Sequence, residues 1–68
     1  MQIFTDRLTK IMKETETSGY KLAKAIGADN QTVLNWLQGK NEPKISYLQK
    51  IALYFDCSAD YLLGLSDI

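Results

Sequence analysis

The chain has 68 residues, 46% of them hydrophobic, and its eight Lys and Arg balance its eight Asp and Glu. That length holds one small core and that apolar content argues against disorder, so a single globular domain over residues 1–68 is expected. One cysteine, Cys57, excludes an internal disulfide, the absence of His leaves a zinc site short of ligands, and neither a membrane span nor a secretory signal is present, so a soluble cytoplasmic chain without metal or cofactor is expected.

Ile3 to Lys13 carries Phe4, Leu8, Ile11 and Met12 at helical spacing, and predicts a first helix with Arg7, Lys10 and Lys13 on a solvated face. Glu14-Thr15-Glu16-Thr17 breaks the period, and Ser18 is placed to cap a second helix over Tyr20 to Ile26. In that helix Leu22, Ala23 and Ile26 share one face, and Gly27 supplies the positive φ of a tight exit. Asp29 then stands where an N-cap belongs, its carboxylate able to accept a backbone N–H of the next turn. Two helices joined by so few residues cross steeply, as in a helix-turn-helix.

The third helix divides into two faces. At about 100° per residue, Val33, Trp36 and Leu37 fall in one arc that can meet the core. Asn30, Gln31, Leu34, Asn35 and Gln38 occupy another arc, and only Leu34 among them is not an amide. An amide presents a donor and an acceptor side by side, the pattern that pairs with the major-groove edge of adenine.

Gly39 stops this helix, and Pro43 holds Glu42 extended in the loop that follows. Ile45 to Phe55 restores the helical period with Ile45, Leu48, Ile51, Ala52 and Phe55 on one stripe. Ser58 is placed to cap a last short helix, Ala59 to Leu63, which Gly64 ends. The fold class expected is all-α: five short helices around one core, with Trp36 inside it and Tyr47, Tyr54 and Tyr61 in the core or at a subunit contact. Cys57 reads as a small, at least half-buried apolar residue.

Zero net charge argues against a nucleic-acid partner, because phosphate contacts need Lys and Arg. The distribution answers part of that objection. Residues 18–50 hold Lys21, Lys24, Lys40, Lys44 and Lys50 against Asp29 and Glu42, whereas residues 51–68 hold Asp56, Asp60 and Asp67 and no basic residue. The positive half coincides with the helix pair, so binding to an anionic polymer should be moderate and salt-sensitive.

Taken together, Leu22-Ala23 with Gly27, then Trp36 with Gly39-Lys40 and Pro43, then Tyr54-Phe55-Asp56-Cys57-Ser58 and Asp60-Tyr61-Leu62-Leu63-Gly64, resemble the DNA-binding domain of the phage repressor and Cro type of helix-turn-helix regulator, the XRE-like group. The resemblance runs from Phe4 to Asp67 and rests on order and spacing rather than on any single marker. It implies a compact five-helix lambda-repressor-like domain of a phage or prophage-like transcriptional regulator, most often a repressor. Such a protein binds double-stranded DNA sequence-specifically, usually as a homodimer on a near-palindromic operator. Position by position, it implies base contacts from Asn30, Gln31, Leu34 and Asn35, with Leu34 limited to apolar contact such as a thymine methyl. It implies backbone contacts from Gly19, Tyr20 and Lys21 at the start of the second helix, and from Lys40, Asn41 and Lys44 in the loop.

Two departures from the family pattern stand out. Gly19 occupies the place of a phosphate-binding Gln, leaving only a backbone N–H at a helix N-terminus. Met12 and Leu37 replace an Arg–Glu pair, an exchange that strands no charge.

Leu62, Leu63, Leu65 and Ile68 leave more apolar surface at the C-terminal end than a small core absorbs, which points to a self-complementary dimer face. The rival expectation is a protein-interaction module on the same fold, using Leu34 and the C-terminal leucines. The absence of His, of metal clusters and of a Gly-rich phosphate loop argues against an enzyme.

Overall fold

The computed structural model describes residues 2–68 and contains five α-helices: α1 (Gln2–Glu14), α2 (Gly19–Ile26), α3 (Asn30–Leu37), α4 (Ile45–Phe55) and α5 (Ala59–Leu63). No strand occurs among the described residues, so the all-α expectation holds, with α1 and α2 one or two residues longer than the pattern predicts.

All five helices close in the same way. A residue in the left-handed conformation follows each one: Glu16, Gly27, Gly39, Asp56 and Gly64, with φ of 53°, 74°, 75°, 54° and 79°. The next N–H then reaches five residues back, as in Lys40 N to Asn35 O at 2.9 Å and Leu65 N to Asp60 O at 2.8 Å. These bonds satisfy last-turn carbonyls that would otherwise lack partners, and they turn the chain sharply enough for short connections. At the other ends, Ser18 caps α2 by accepting from Lys21 N, and Ser58 caps α5 by accepting from Tyr61 N. Asp29 departs from expectation. It holds the extended N-cap conformation, but its carboxylate makes no capping bond, and its backbone carbonyl alone accepts from Thr32 and Val33.

The core is built from Phe4, Leu8 and Met12 of α1, Leu22, Ala23 and Ile26 of α2, Val33 and Trp36 of α3, Ile51 and Ala52 of α4, and Tyr61 and Leu62 of α5. Helix α2 packs on both α3 and α4, and α1 packs on α3 and α5, so α3 is supported from two sides. Met12 is in the core and Leu37 packs against it, which bears out the apolar exchange as a compatible one. Trp36 stands edge-on to Phe4 at 6.4 Å between ring centroids and tilted against Tyr47 at 5.6 Å. The Thr5 hydroxyl donates to the Trp36 carbonyl at 2.9 Å, tying α1 to the end of α3.

Three residues correct the sequence reading. Leu62, assigned to a dimer face, is fully buried, because the turn of α5 directs Tyr61 and Leu62 onto α1. Ile45, assigned to the α4 stripe, is 85% exposed. It opens the helix at the margin of the stripe, where no other element covers it. Arg7, assigned to a solvated face, is partly buried, donates to Ser66 O at 3.0 Å and lies over the Tyr61 ring at 4.5 Å. Its pairing with fully exposed Asp67, at 3.7 Å, adds little in water. Arg7→Ala is therefore expected to destabilise the fold by about 1–2 kcal/mol through the lost hydrogen bond and cation–π contact. Urea denaturation checks this, and Arg7→Lys should recover only part of the loss because Lys lacks the planar face.

Tyr61 is core, Tyr47 is half-buried against Trp36, and Tyr54 is mostly outside, edge-on to Phe55 at 4.9 Å. Cys57 is half-buried, and its thiol is pushed up by burial and then by the Asp56 charge, against a smaller lowering by its own backbone N–H. At neutral pH it is an uncharged apolar surface rather than a nucleophile.

Candidate nucleic-acid interface

Helix α3 presents two chemically distinct sides because its eight residues make little more than two turns. Val33 and Trp36 are buried, Leu37 half-buried, and these fix the helix against the core. On the opposite side Asn30, Gln31 and Gln38 are exposed, Leu34 is 41% exposed and Asn35 is half-buried. Gln31 and Asn35 are one turn apart, and Gln31 Nε2 donates to Asn35 Oδ1 at 3.0 Å. The amide face predicted from periodicity is thus a continuous outward strip, with Leu34 its one apolar member.

The strip is flanked by cationic residues at both ends. The closure of α3 pins Lys40 to the helix end through its backbone bond to Asn35 O. Lys40, Asn41 and Lys44 line an open cleft of about 510 Å³ with Thr32, Trp36, Tyr47 and Glu42. Two ammonium groups, an amide and two hydroxyl-bearing residues around one concavity suit an oxyanion, and Glu42 limits how negative that guest can be. Thr32 and Tyr47 were not legible as part of this group, because the first is one residue among α3 polar positions and the second sits on a core stripe. Only the turn of the loop brings them together.

At the other end, α2 begins with Gly19, half-buried against α3: a Cβ there would lie 3.8 Å from Val33 Cγ1 and 3.9 Å from Asn30 Oδ1. Those are ordinary contacts, so space does not require glycine here. Tyr20 and Lys21 are exposed in the first turn, and Lys24 Nζ lies 5.7 Å from the Tyr20 ring centroid. A shallow concavity between Tyr20, Lys24, Asp29 and Asn30 joins this region to the start of α3. Gly19 and Tyr20 thus lie beside the start of α3, and Lys40, Asn41 and Lys44 beside Thr32 and Trp36, whereas Lys21 faces a separate concavity that Tyr54 of α4 also lines.

The C-terminal residues divide. Leu62 is core, Leu63 half-buried, and Leu65 and Ile68 are 74% and 87% exposed. No group of acidic, Cys or His side chains that could hold a metal occurs among the described residues, and no helix there is long and apolar enough to cross a membrane.

A helix-turn-helix family model matches residues 8–62, which takes in α2, α3 and most of the core. No curated protein and no solved structure matches the chain. The family match agrees in extent and order with the five-helix architecture and with the amide-bearing second helix of the pair. It supports a DNA-binding transcription regulator. The chain belongs to the helix-turn-helix family of the phage repressor and Cro type.

Proposed function

We propose that the chain is one helix-turn-helix domain across residues 1–68 that represses transcription in the cytoplasm by binding a near-palindromic operator as a homodimer. The observation that carries this reading is the outward amide strip of α3 beside the Lys40–Lys44 cleft. Asn30, Gln31 and Asn35 contact base edges, and Leu34 packs on a thymine methyl. Gly19, Tyr20 and Lys21 at one end, and Lys40, Asn41 and Lys44 at the other, hold the phosphate backbone and set register.

One copy carries one α3 to place in a major groove, whereas a near-palindrome offers two half-sites about 34 Å apart. A two-fold operator therefore needs two copies. Their shared face is proposed to use Leu65 and Ile68 with the half-buried Leu63.

Selection of randomised duplex DNA by the purified chain, at low and at physiological salt, tests the reading. Enrichment of a near-palindrome with half-sites about 10 bp apart is expected. Gln31→Ala is expected to cost about 1–3 kcal/mol on that site and to relax selectivity at one base pair. Lys40→Ala is expected to weaken binding to all sequences alike and to flatten the salt slope by about one unit. Equal losses from both variants on every sequence would contradict this division of labour. No enrichment at either salt would favour the protein-interaction reading, which Leu34 and the exposed Leu65 supply with apolar surface and the zero net charge makes chemically plausible.

A further inference from the structure

We infer that Asn35 is a positioning residue for Gln31: the two amides form one reading unit whose donor–acceptor polarity is biased before DNA arrives. The inference rests on the DNA-binding reading above and concerns how its selectivity arises.

The argument starts from the chemistry of a primary amide. Its oxygen offers two lone pairs and its nitrogen two N–H donors, and the group can rotate end for end. An exposed Gln on a recognition helix can therefore present either end to a given atom of a base edge. The bond from Gln31 Nε2 to Asn35 Oδ1, 3.0 Å long, biases that choice toward one end. Turning the Gln31 amide over would set its oxygen against the Asn35 oxygen, replacing a hydrogen bond with two facing acceptors.

The anchor is the more constrained partner. Asn35 is half-buried where Gln31 is exposed, and its backbone carbonyl accepts the Lys40 N–H at 2.9 Å in the closure of α3. That carbonyl bond holds the backbone at the end of α3, while half-burial leaves the Asn35 side-chain amide less room to turn over than that of Gln31.

What the pair leaves free decides what it reads. Gln31 keeps its oxygen and one N–H, which is the acceptor and donor that adenine requires at N6 and N7. Guanine presents two acceptors, O6 and N7, and would leave the Gln31 oxygen facing a lone pair. Asn35 keeps both N–H donors, suited to an acceptor on a neighbouring base or a phosphate. The unit therefore favours adenine over guanine at the position Gln31 meets, and part of that preference belongs to Asn35 even where Asn35 does not touch the base.

The test compares Asn35→Asp and Asn35→Ala with the unaltered chain in the same DNA selection, after thermal denaturation has shown each variant folded. Gln31→Ala identifies the base-pair column that Gln31 reads. Asp accepts hydrogen bonds as Asn35 Oδ1 does but donates none at neutral pH. Asn35→Asp is therefore expected to keep the adenine preference in that column while weakening overall affinity. Asn35→Ala is expected to lower that preference about 1.5- to twofold, in keeping with the modest strength of an i,i+4 amide pair. A column unchanged in Asn35→Ala overturns the inference, and so does its loss in Asn35→Asp, which would mean the bond runs the other way.

The link is also readable without DNA. In the free protein the Gln31 side-chain amide protons are expected to be shifted apart and slowed in exchange by ¹H–¹⁵N NMR, collapsing to ordinary values in Asn35→Ala. A Gln31 signal indifferent to that change overturns the inference even if no DNA is selected. Ordered Gln31 protons with no enriched sequence would instead overturn the DNA reading, and with it the role assigned to the pair.

Discussion

Trp36→Ala is expected to destabilise the fold by about 3–5 kcal/mol, the range for removing a large buried aromatic side chain. A domain of this length has a total stability on the order of 3–10 kcal/mol, so the substitution removes a large share of it. Trp36 is 2% exposed and faces Phe4 from α1 and Tyr47 from α4, so its loss opens a cavity where three helices meet. Its neighbours have limited means to fill that space. Phe4 is held in α1 beside Thr5, whose hydroxyl is committed to the Trp36 carbonyl. Far-UV circular dichroism against urea is the suitable measurement, because Trp36 is the chain's single Trp and its fluorescence disappears with it. Trp36→Phe should retain most of the packing and cost less. A loss below about 1 kcal/mol in Trp36→Ala would show that the back of α3 is not what fixes the amide strip in place.

The limits of sequence reading follow from particular residues. Gly27, Gly39 and Gly64 announced three helix ends, because a left-handed residue is cheapest without a Cβ. Glu16 and Asp56 end α1 and α4 in the same conformation, yet Glu does not mark such a position and Asp marks it only weakly, and the backbone bonds Thr17 N to Met12 O and Cys57 N to Ala52 O disclose it. The two faces of α3 were legible because periodicity alone separates Val33 and Trp36 from Asn30, Gln31 and Leu34. Leu62 and Ile45 were misassigned for a common reason: hydrophobicity states that a side chain gains by burial, whereas the packing of α5 on α1 and the open start of α4 decide which one achieves it. Arg7 and the Thr32–Tyr47 side of the cleft depend on contacts between residues far apart in sequence, such as Arg7 with Ser66, and no local pattern encodes those. Asp29 shows the converse case, a local signal that the tertiary structure leaves unused.

Gly64→Ala is expected to cost about 2–4 kcal/mol, well above the about 1 kcal/mol expected for Gly27→Ala, although both glycines have nearly the same backbone conformation, with φ of 79° and 74°. The left-handed strain is common to both positions. The difference is steric: a Cβ on Gly27 meets nothing within 4 Å, whereas one on Gly64 would lie 2.6 Å from Ile3 Cγ1. That atom is a γ-carbon close to the Ile3 branch point, and Cδ1 and Cγ2 each lie 3.5 Å away, so relief requires Ile3 to leave its rotamer or α1 and the end of α5 to shift apart. Arg7 resists the separation from the same helix, through its bond to Ser66 and its stacking on Tyr61. The comparison has a functional side as well. Leu65 follows Gly64 directly and Ile68 comes four residues after it, and the proposed dimer depends on where that segment leaves the domain. Gly64→Ala is therefore expected to weaken self-association measured by sedimentation equilibrium at a temperature where the variant remains folded, while Gly27→Ala leaves it unchanged. Equal destabilisation by the two variants would remove the steric argument. Loss of stability in Gly64→Ala without any change in association would separate the dimer face from the α1–α5 junction and place it elsewhere on the surface.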